Sequence, residues 1–233
     1  MRCAILIPVN RDTARLYETV QRCRIAMPDV TICVVDDGSP EPVAAERLGE
    51  PAMLIRFDVN RGKGAALRAG LNRLVENGFD CAVMLDADGQ HPPELIPRFI
   101  DEYEKSGADL VIGYRLHNVS AMPLDRRFSN FASTKLLELL TKRRLYDVQC
   151  GFRLIALARW RELDCDANRF EFEPQMILQA AWRGWRFAYL PVPAIYSKVA
   201  SSIRRFPDTI RFLRMVVWEL RKRNRFLQRD RTA

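Results

Sequence analysis

The sequence is short of several things that would each have named a chemistry. It holds two histidines, His91 and His117, among 233 residues, which argues against a His-ligated zinc site and against a Ser-His-Asp hydrolase. Its six cysteines, Cys3, Cys23, Cys33, Cys81, Cys150 and Cys165, form no CxxC pair, and several lie inside apolar runs. They read as buried free thiols of a reducing compartment rather than a disulfide framework. No apolar run approaches the roughly 18 residues of a membrane span. The opening Met1-Arg2-Cys3-Ala4-Ile5-Leu6-Ile7-Pro8 lacks the basic start and cleavage site of a signal peptide, so a cytoplasmic protein with at most peripheral membrane contact is expected. There is no Walker A loop, no GxGxxG after the first strand, no internal repeat and no low-complexity segment. At 48% apolar residues, disorder is excluded.

What is present is a charge imbalance with an address. The formal net charge is +8, but residues 203–233 alone carry +7, leaving +1 for residues 1–202. A near-neutral domain with a basic tail follows. In the tail, Ile210, Leu213, Val217 and Leu220 recur at helical spacing while Arg211, Arg214, Arg221, Lys222, Arg225 and Arg229 recur on other faces. That pattern suits either a helix lying at an anionic membrane surface or a helix packed on the domain with solvated arginines. Nucleic acid is not the expected partner, because the excess charge is confined to one helix; a non-catalytic nucleic-acid-binding module is the distant alternative.

Short apolar runs alternate with helical patterns. Strands are expected at 3–9, 30–35, 53–57, 81–85 and 109–113, with helices at 13–26, 64–76 and 93–105. This is an α/β chain with a Rossmann-like, mostly parallel sheet flanked by helices. Beyond residue 115 a helix is expected at 128–141, a strand near 152–157, a helix at 174–182 and an apolar segment at 187–196.

Ligands of open α/β sheets bind beyond the carboxyl ends of the strands, and those ends are acidic here. One reads Val35-Asp36-Asp37-Gly38-Ser39, another Leu85-Asp86-Ala87-Asp88-Gly89-Gln90-His91. In extended backbone residues i and i+2 share a side, so Asp86 and Asp88 are expected to converge on one point, where Mg²⁺ or Mn²⁺ would relieve their repulsion and Gln90 would add a neutral oxygen. The bland reading of aspartates after a strand is helix caps and turns, and it weighs more on Asp37 than on the Asp86/Asp88 pair. Asn60-Arg61-Gly62-Lys63-Gly64 enters a helix with glycines on both sides of a lysine, a pattern for binding an anion.

Taken in order, Ile7-Pro8, Val35-Asp36-Asp37-Gly38-Ser39, Asn60-Arg61-Gly62-Lys63-Gly64, Asp86-Ala87-Asp88-Gly89-Gln90-His91-Pro92-Pro93-Glu94 and Asp147-Val148-Gln149-Cys150-Gly151-Phe152-Arg153 resemble the family 2 inverting glycosyltransferases of the GT-A fold. The nearest branch is the dolichol-phosphate mannose synthase-like one, and the resemblance covers roughly residues 3–215. It implies a glycosyltransferase domain over 1–202, with a nucleotide-sugar half at about 1–115 and an acceptor half at about 116–202, followed by the basic helix at 203–233. It implies a nucleoside-diphosphate sugar as donor, a polyprenyl phosphate as acceptor, and Mg²⁺ or Mn²⁺ at Asp86, Asp88 and Gln90. Nucleotide contacts fall to Pro8, Asn10, Asp12, Asp36, Asp37, Lys63 and Asp86, and the acceptor phosphate to Arg126, Arg127 and Ser129. Arg115 and Asp147 carry the catalytic positions.

Two departures stand out. Family members usually read Ile-Pro-x-Tyr-Asn-Glu where this chain has Ile7-Pro8-Val9-Asn10-Arg11-Asp12, so the choice between GDP and UDP stays open. Gln175 stands where many relatives carry glutamate. Asp147 has two readings: general base for a hydroxyl acceptor, or orienting partner of an arginine such as Arg153. The runner-up function is accordingly transfer to a hydroxyl of a sugar or lipid. A two-carboxylate glycoside hydrolase is disfavoured, because it needs no diphosphate-metal motif.

Overall fold

The structure, a computed structural model, describes residues 1–115, 124–195 and 205–230, with side chains described at 127–195 and 207–223 in the last two stretches. Seven strands form one sheet: β1 (Cys3–Val9), β2 (Thr31–Asp37), β3 (Ala52–Phe57), β4 (Cys81–Met84), β5 (Leu110–Tyr114), β6 (Arg153–Ala156) and β7 (Phe187–Pro191). Their order is β3-β2-β1-β4-β6-β5-β7, and every neighbouring pair is parallel except those made by β6.

Side-chain alternation along each strand feeds two cores. Ile5 and Ile7 of β1, with Ile32 and Val34 of β2, pack with Leu16, Val20 and Cys23 of α1 (Thr13–Ala26) and Phe99 of α3 (Ile96–Ser106). Ala4, Leu6, Cys33 and Val35 point to the other face, where α2 (Lys63–Glu76), α4 (Leu124–Thr141), α5 (Phe172–Trp182) and α6 (Arg205–Asp230) supply Leu67, Leu137, Met176 and Met215. A sheet covered on both faces explains strands that are apolar throughout. All six cysteines are free, and all but Cys3 are buried.

Most expected elements fall within a few residues of their places. The expected helix at 93–105 divides into a 3-10 turn at Pro93–Leu95 and α3, with Pro93 and Pro97 sitting at the first turns. β2 runs on through Asp36 and Asp37, so these are the last residues of a strand rather than the loop after it.

The long α6 is docked by one side. Met215, Val216 and Glu219 are buried, Lys222 reaches Asp164 and Asp166, and the Arg223 guanidinium lies over Trp182 of α5. The opposite side carries Leu213 and Val217 at 48% and 47% exposure, flanked by exposed Arg214 and Arg221, while Trp218 lies at the margin of the docked side, its indole N–H donating to Asp166 at 3.2 Å. The packed reading of the tail therefore describes the face of α6 that carries Met215, Val216 and Glu219, while Leu213 and Val217 face away from the domain. No helix among the described residues is long and apolar enough to cross a membrane.

Candidate active site

Asp86 and Asp88 follow β4, but Asp88 lies in a turn and not in extended backbone. Their proximity comes from that turn, closed by Gly89 at φ 75°, instead of from strand alternation. Gln90 shapes it: its backbone N–H donates to Asp88 Oδ1 at 3.0 Å and its side-chain amide donates to Oδ2 at 2.6 Å. Gln90 thus meets Asp88 as a donor, through its backbone and side-chain N–H groups. Burial and the neighbouring Asp86 charge push the Asp88 carboxyl up. Asp86 is held down: burial opposes ionisation, but the Lys63 ammonium and its hydrogen bond outweigh it.

His91 pins the same turn from behind. Its Nδ1 accepts the Asp86 N–H at 3.0 Å, and its ring stacks on Phe152 with centroids 5.4 Å apart. Burial keeps the imidazole neutral, with its pKa down to about 4.

Lys63 stands at the start of α2, turned toward carboxylates. Its Nζ lies 2.6 Å from Asp86 Oδ1 and 3.2 Å from Glu173 Oε1. The glycines beside it serve a close approach by protein. A Cβ on Gly62, whose φ is 102°, would sit 2.3 Å from the Asn168 carbonyl oxygen, and one on Gly64 would sit 2.6 Å from that of Ala167. The Asn168 carbonyl also accepts the Ala65 N–H, so the helix start expected to cradle an anion is covered by chain.

Asp37 secures this loop by accepting the Arg61 and Gly62 N–H groups at 2.6 and 2.8 Å; burial nevertheless raises its pKa. Asn10 donates to the Asp37 carbonyl. Asp36 accepts from the Ser39 and Val43 N–H groups and the Arg56 guanidinium, which hold its pKa down against burial. Asp12 caps α1 through the Arg15 N–H, and Pro8 is buried within β1. Asp12 is thus placed as a helix cap, and Asp36 and Asp37 as the end of β2 that fastens the loops beyond it, at the carboxyl ends of β1 and β2.

Beyond β5, Arg115 and Asp147 form a two-pronged ion pair. Nε donates to Oδ2 at 2.7 Å and one terminal nitrogen to Oδ1 at 2.9 Å. Asn130 of α4 and the Gln149 N–H also donate to Oδ1, at 2.9 and 3.2 Å. Against burial, these partners hold the Asp147 carboxyl below its ordinary value. The arginine it orients is Arg115; Arg153 is fully buried and donates to the carbonyls of Val148, Cys150 and Glu173. Ser129 Oγ accepts from Gln149, and Arg127 is exposed on α4. The Arg126 side chain lies outside the described residues.

Sequence reasoning did not find Glu173 or Asn130. Glu173 follows Glu171 in a run that offered no spacing signal, and Asn130 was one residue beyond Ser129 in a helix that begins four residues earlier than expected.

Among the described residues no three His, Cys, Asp or Glu side chains converge as a metal cage. The donor set is instead two carboxylates, one of them burdened by its like-charged neighbour. Such a pair fits a hard divalent ion that keeps few protein ligands and completes its shell with water and phosphate oxygens.

This architecture, a GT-A-type sheet with carboxylates at the ends of its parallel strands and an oriented arginine on the far side, is that of a glycosyl-transfer enzyme. The profile of Glycosyl transferase family 2 matches residues 4–158, and the chain belongs to that family. It is 30% identical over 213 residues to the undecaprenyl-phosphate mannosyltransferase of Micrococcus luteus, covering 87% of each chain. With the polyprenol monophosphomannose synthase of Mycolicibacterium smegmatis it shares 28% identity over 203 residues, 82% of this chain and 76% of that one. Among solved structures, the glucosyl-3-phosphoglycerate synthase of Mycobacterium tuberculosis, in complex with Mn²⁺, uridine diphosphate and phosphoglyceric acid, superposes with a TM-score of 0.70 at 17% identity, over 95% of this chain and 78% of that one.

Proposed function

We propose that this glycosyltransferase moves a hexose from a nucleoside-diphosphate sugar to a polyprenyl phosphate with inversion, using Mg²⁺ or Mn²⁺ held by Asp86 and Asp88. The observation that carries the acceptor class is the commitment of Asp147. Both of its oxygens are taken, and its pKa is held low, so it is a poor general base. A hydroxyl acceptor needs a base; a phosphate is already an anion and needs a cation to hold it in line. The named polyprenyl-phosphate relatives support the same acceptor.

In the reaction, an acceptor phosphate oxygen bonds to the anomeric carbon as that carbon's bond to the donor diphosphate breaks, and the diphosphate departs with the electron pair. No proton has to move. Arg115, fixed by Asp147, orients the acceptor phosphate, with Arg127 and Ser129 at its approach and Arg126 assigned there by resemblance. Pro8, Asn10, Asp12, Asp36 and Asp37 shape the nucleotide end. A divalent ion at Asp86 and Asp88 supplies neutralisation of the charge growing on the leaving diphosphate. The Mn²⁺-containing complex of the structural neighbour supports a divalent ion.

The outward face of α6, with Leu213 and Val217 beside Arg214 and Arg221, supports a peripheral contact with an anionic membrane surface, where such an acceptor resides.

The test is transfer from a panel of GDP- and UDP-sugars to a polyprenyl phosphate, the matching polyprenol and a free sugar. Product on the phosphate alone is expected; product on either hydroxyl acceptor overturns the acceptor reading. Asp88→Ala is expected to abolish divalent-ion-dependent nucleotide binding and transfer, and unchanged turnover would sink the metal assignment.

A further inference from the structure

Asp86 already has a cation. The Lys63 ammonium sits 2.6 Å from its Oδ1, inside ordinary charge-assisted hydrogen-bond distance, and the same ammonium reaches Glu173 Oε1 at 3.2 Å. The lysine is only 16% exposed, and Glu173 is buried. Lys63 cannot drift away, because the glycines on either side hold its backbone against the chain at 167–169, within van der Waals reach of Asn168, Ala167 and Phe172. Glu173 is equally fixed at the start of α5, where its backbone carbonyl accepts from Arg153.

The geometry of Gly151 shows how tightly these groups face one another. A Cβ there would lie 3.0 Å from Glu173 Oε1 and 3.1 Å from Asp86 Oδ2. One ammonium therefore stands between two carboxylates that share a small space. It can shift its weight from Asp86 to Glu173 without leaving the site, since a lysine is a point charge with three rotatable donors.

We propose that Lys63 competes with the divalent ion for Asp86, and that Glu173 sets the strength of that competition by drawing the ammonium away. This deepens the metal reading and rests on it. An ion arriving at Asp86 and Asp88 meets a positive charge on the carboxylate it needs. Glu173, which has no place in the metal site itself, is a positioning residue that acts through Lys63. The consequence is a protein whose affinity for the bare ion is low, and which takes the ion well only when a diphosphate brings further negative charge.

The test measures Mn²⁺ affinity of the full chain without nucleotide, by the electron paramagnetic resonance signal of the free ion. Lys63→Met is expected to tighten binding by about tenfold or more, the order expected for removing a nearby like charge. Glu173→Gln is expected to weaken it several-fold. In the Lys63→Met background, Glu173→Gln is expected to have little effect, because the residue through which it acts is gone.

Unchanged or weaker binding in Lys63→Met overturns the proposal. An equal effect of Glu173→Gln in both backgrounds overturns the role of Glu173, since it marks plain through-space attraction. Lys63→Gln, which keeps amide donors for both carboxylates, carries the same test if the methionine variant does not fold. Asp88→Ala separates the two readings: if it binds Mn²⁺ as the unaltered protein does, the metal assignment itself fails, whatever Lys63 does.

Discussion

Arg115 and Asp147 meet through two parallel hydrogen bonds, 2.7 and 2.9 Å, although they lie 32 residues apart in the chain. The pair fixes a guanidinium plane at the proposed acceptor-phosphate site. Asp147→Asn removes the charge that holds it. Turnover is expected to fall by about 100-fold, the order that misplaced reacting groups cost, while donor binding persists. Comparing kcat with nucleotide affinity checks this; a parallel loss of both would place Asp147 in donor binding.

His91 makes stability depend on pH in a predictable direction. Its imidazole is kept neutral in the fold down to about 4, from an ordinary 6.5. Between those values the unfolded chain takes up a proton that the folded chain refuses, so stability is full above about pH 6.5 and declines toward pH 4. The shift corresponds to about 3 kcal/mol. His91→Gln keeps an acceptor for the Asp86 N–H and removes the titration. Denaturant midpoints across this range are expected to slope less in that variant than in the unaltered protein, and equal slopes would refute the assignment.

Gln175 explains its own identity. Its amide nitrogen donates to both Asp166 Oδ1 and Glu219 Oε1, at 2.6 and 2.7 Å, and its oxygen accepts the Ala167 N–H at 2.9 Å. Gln175→Glu would face two carboxylates with a third in a buried site. A loss of about 3–5 kcal/mol is expected, as for an uncompensated buried charge, with substantial recovery in the Gln175→Glu, Glu219→Gln double variant. Chemical denaturation of the single and double variants decides it.

Gly62→Ala drives a Cβ to 2.3 Å from the Asn168 carbonyl oxygen in a backbone with φ 102°. The strained backbone alone costs about 1–3 kcal/mol, and the clash displaces Lys63. A lowered melting temperature with altered Mn²⁺ affinity is expected; a variant that melts normally contradicts the close approach.

Leu213→Gln combined with Val217→Gln changes only the outward face of α6. Flotation with anionic vesicles is expected to fall several-fold with the melting temperature nearly unchanged. Full retention on vesicles would remove this face from the membrane reading.

The order of strands and helices up to residue 115 was legible because each element carries its own local signal. β1 is an apolar run, α1 has the cap Asp12, and α3 ends at Gly107 in left-handed backbone. The Asp86/Asp88 pair was legible as a motif, but its geometry was not, because a turn and the Gln90 amide make it. Least legible were the long-range partners. Lys63 and Glu173 are 110 residues apart, and no local pattern predicts which lysine a glutamate will meet. The same limit hid Asn130 behind Asp147, and made Arg153 the example of an arginine Asp147 could orient where Arg115 is its partner.

The reversed direction of β6 settles where the second half of the chain can act. Because β6 runs opposite to β4 and β5, the residues that precede it, 147–152, emerge at the same edge as those that follow its neighbours. A parallel β6 would have delivered Asp147 and Gly151 to the opposite edge, a sheet's width from Asp86 and Arg115. One strand laid head to tail thus lets Asp86 and Gly151, written far apart in the gene, face each other across a single seam.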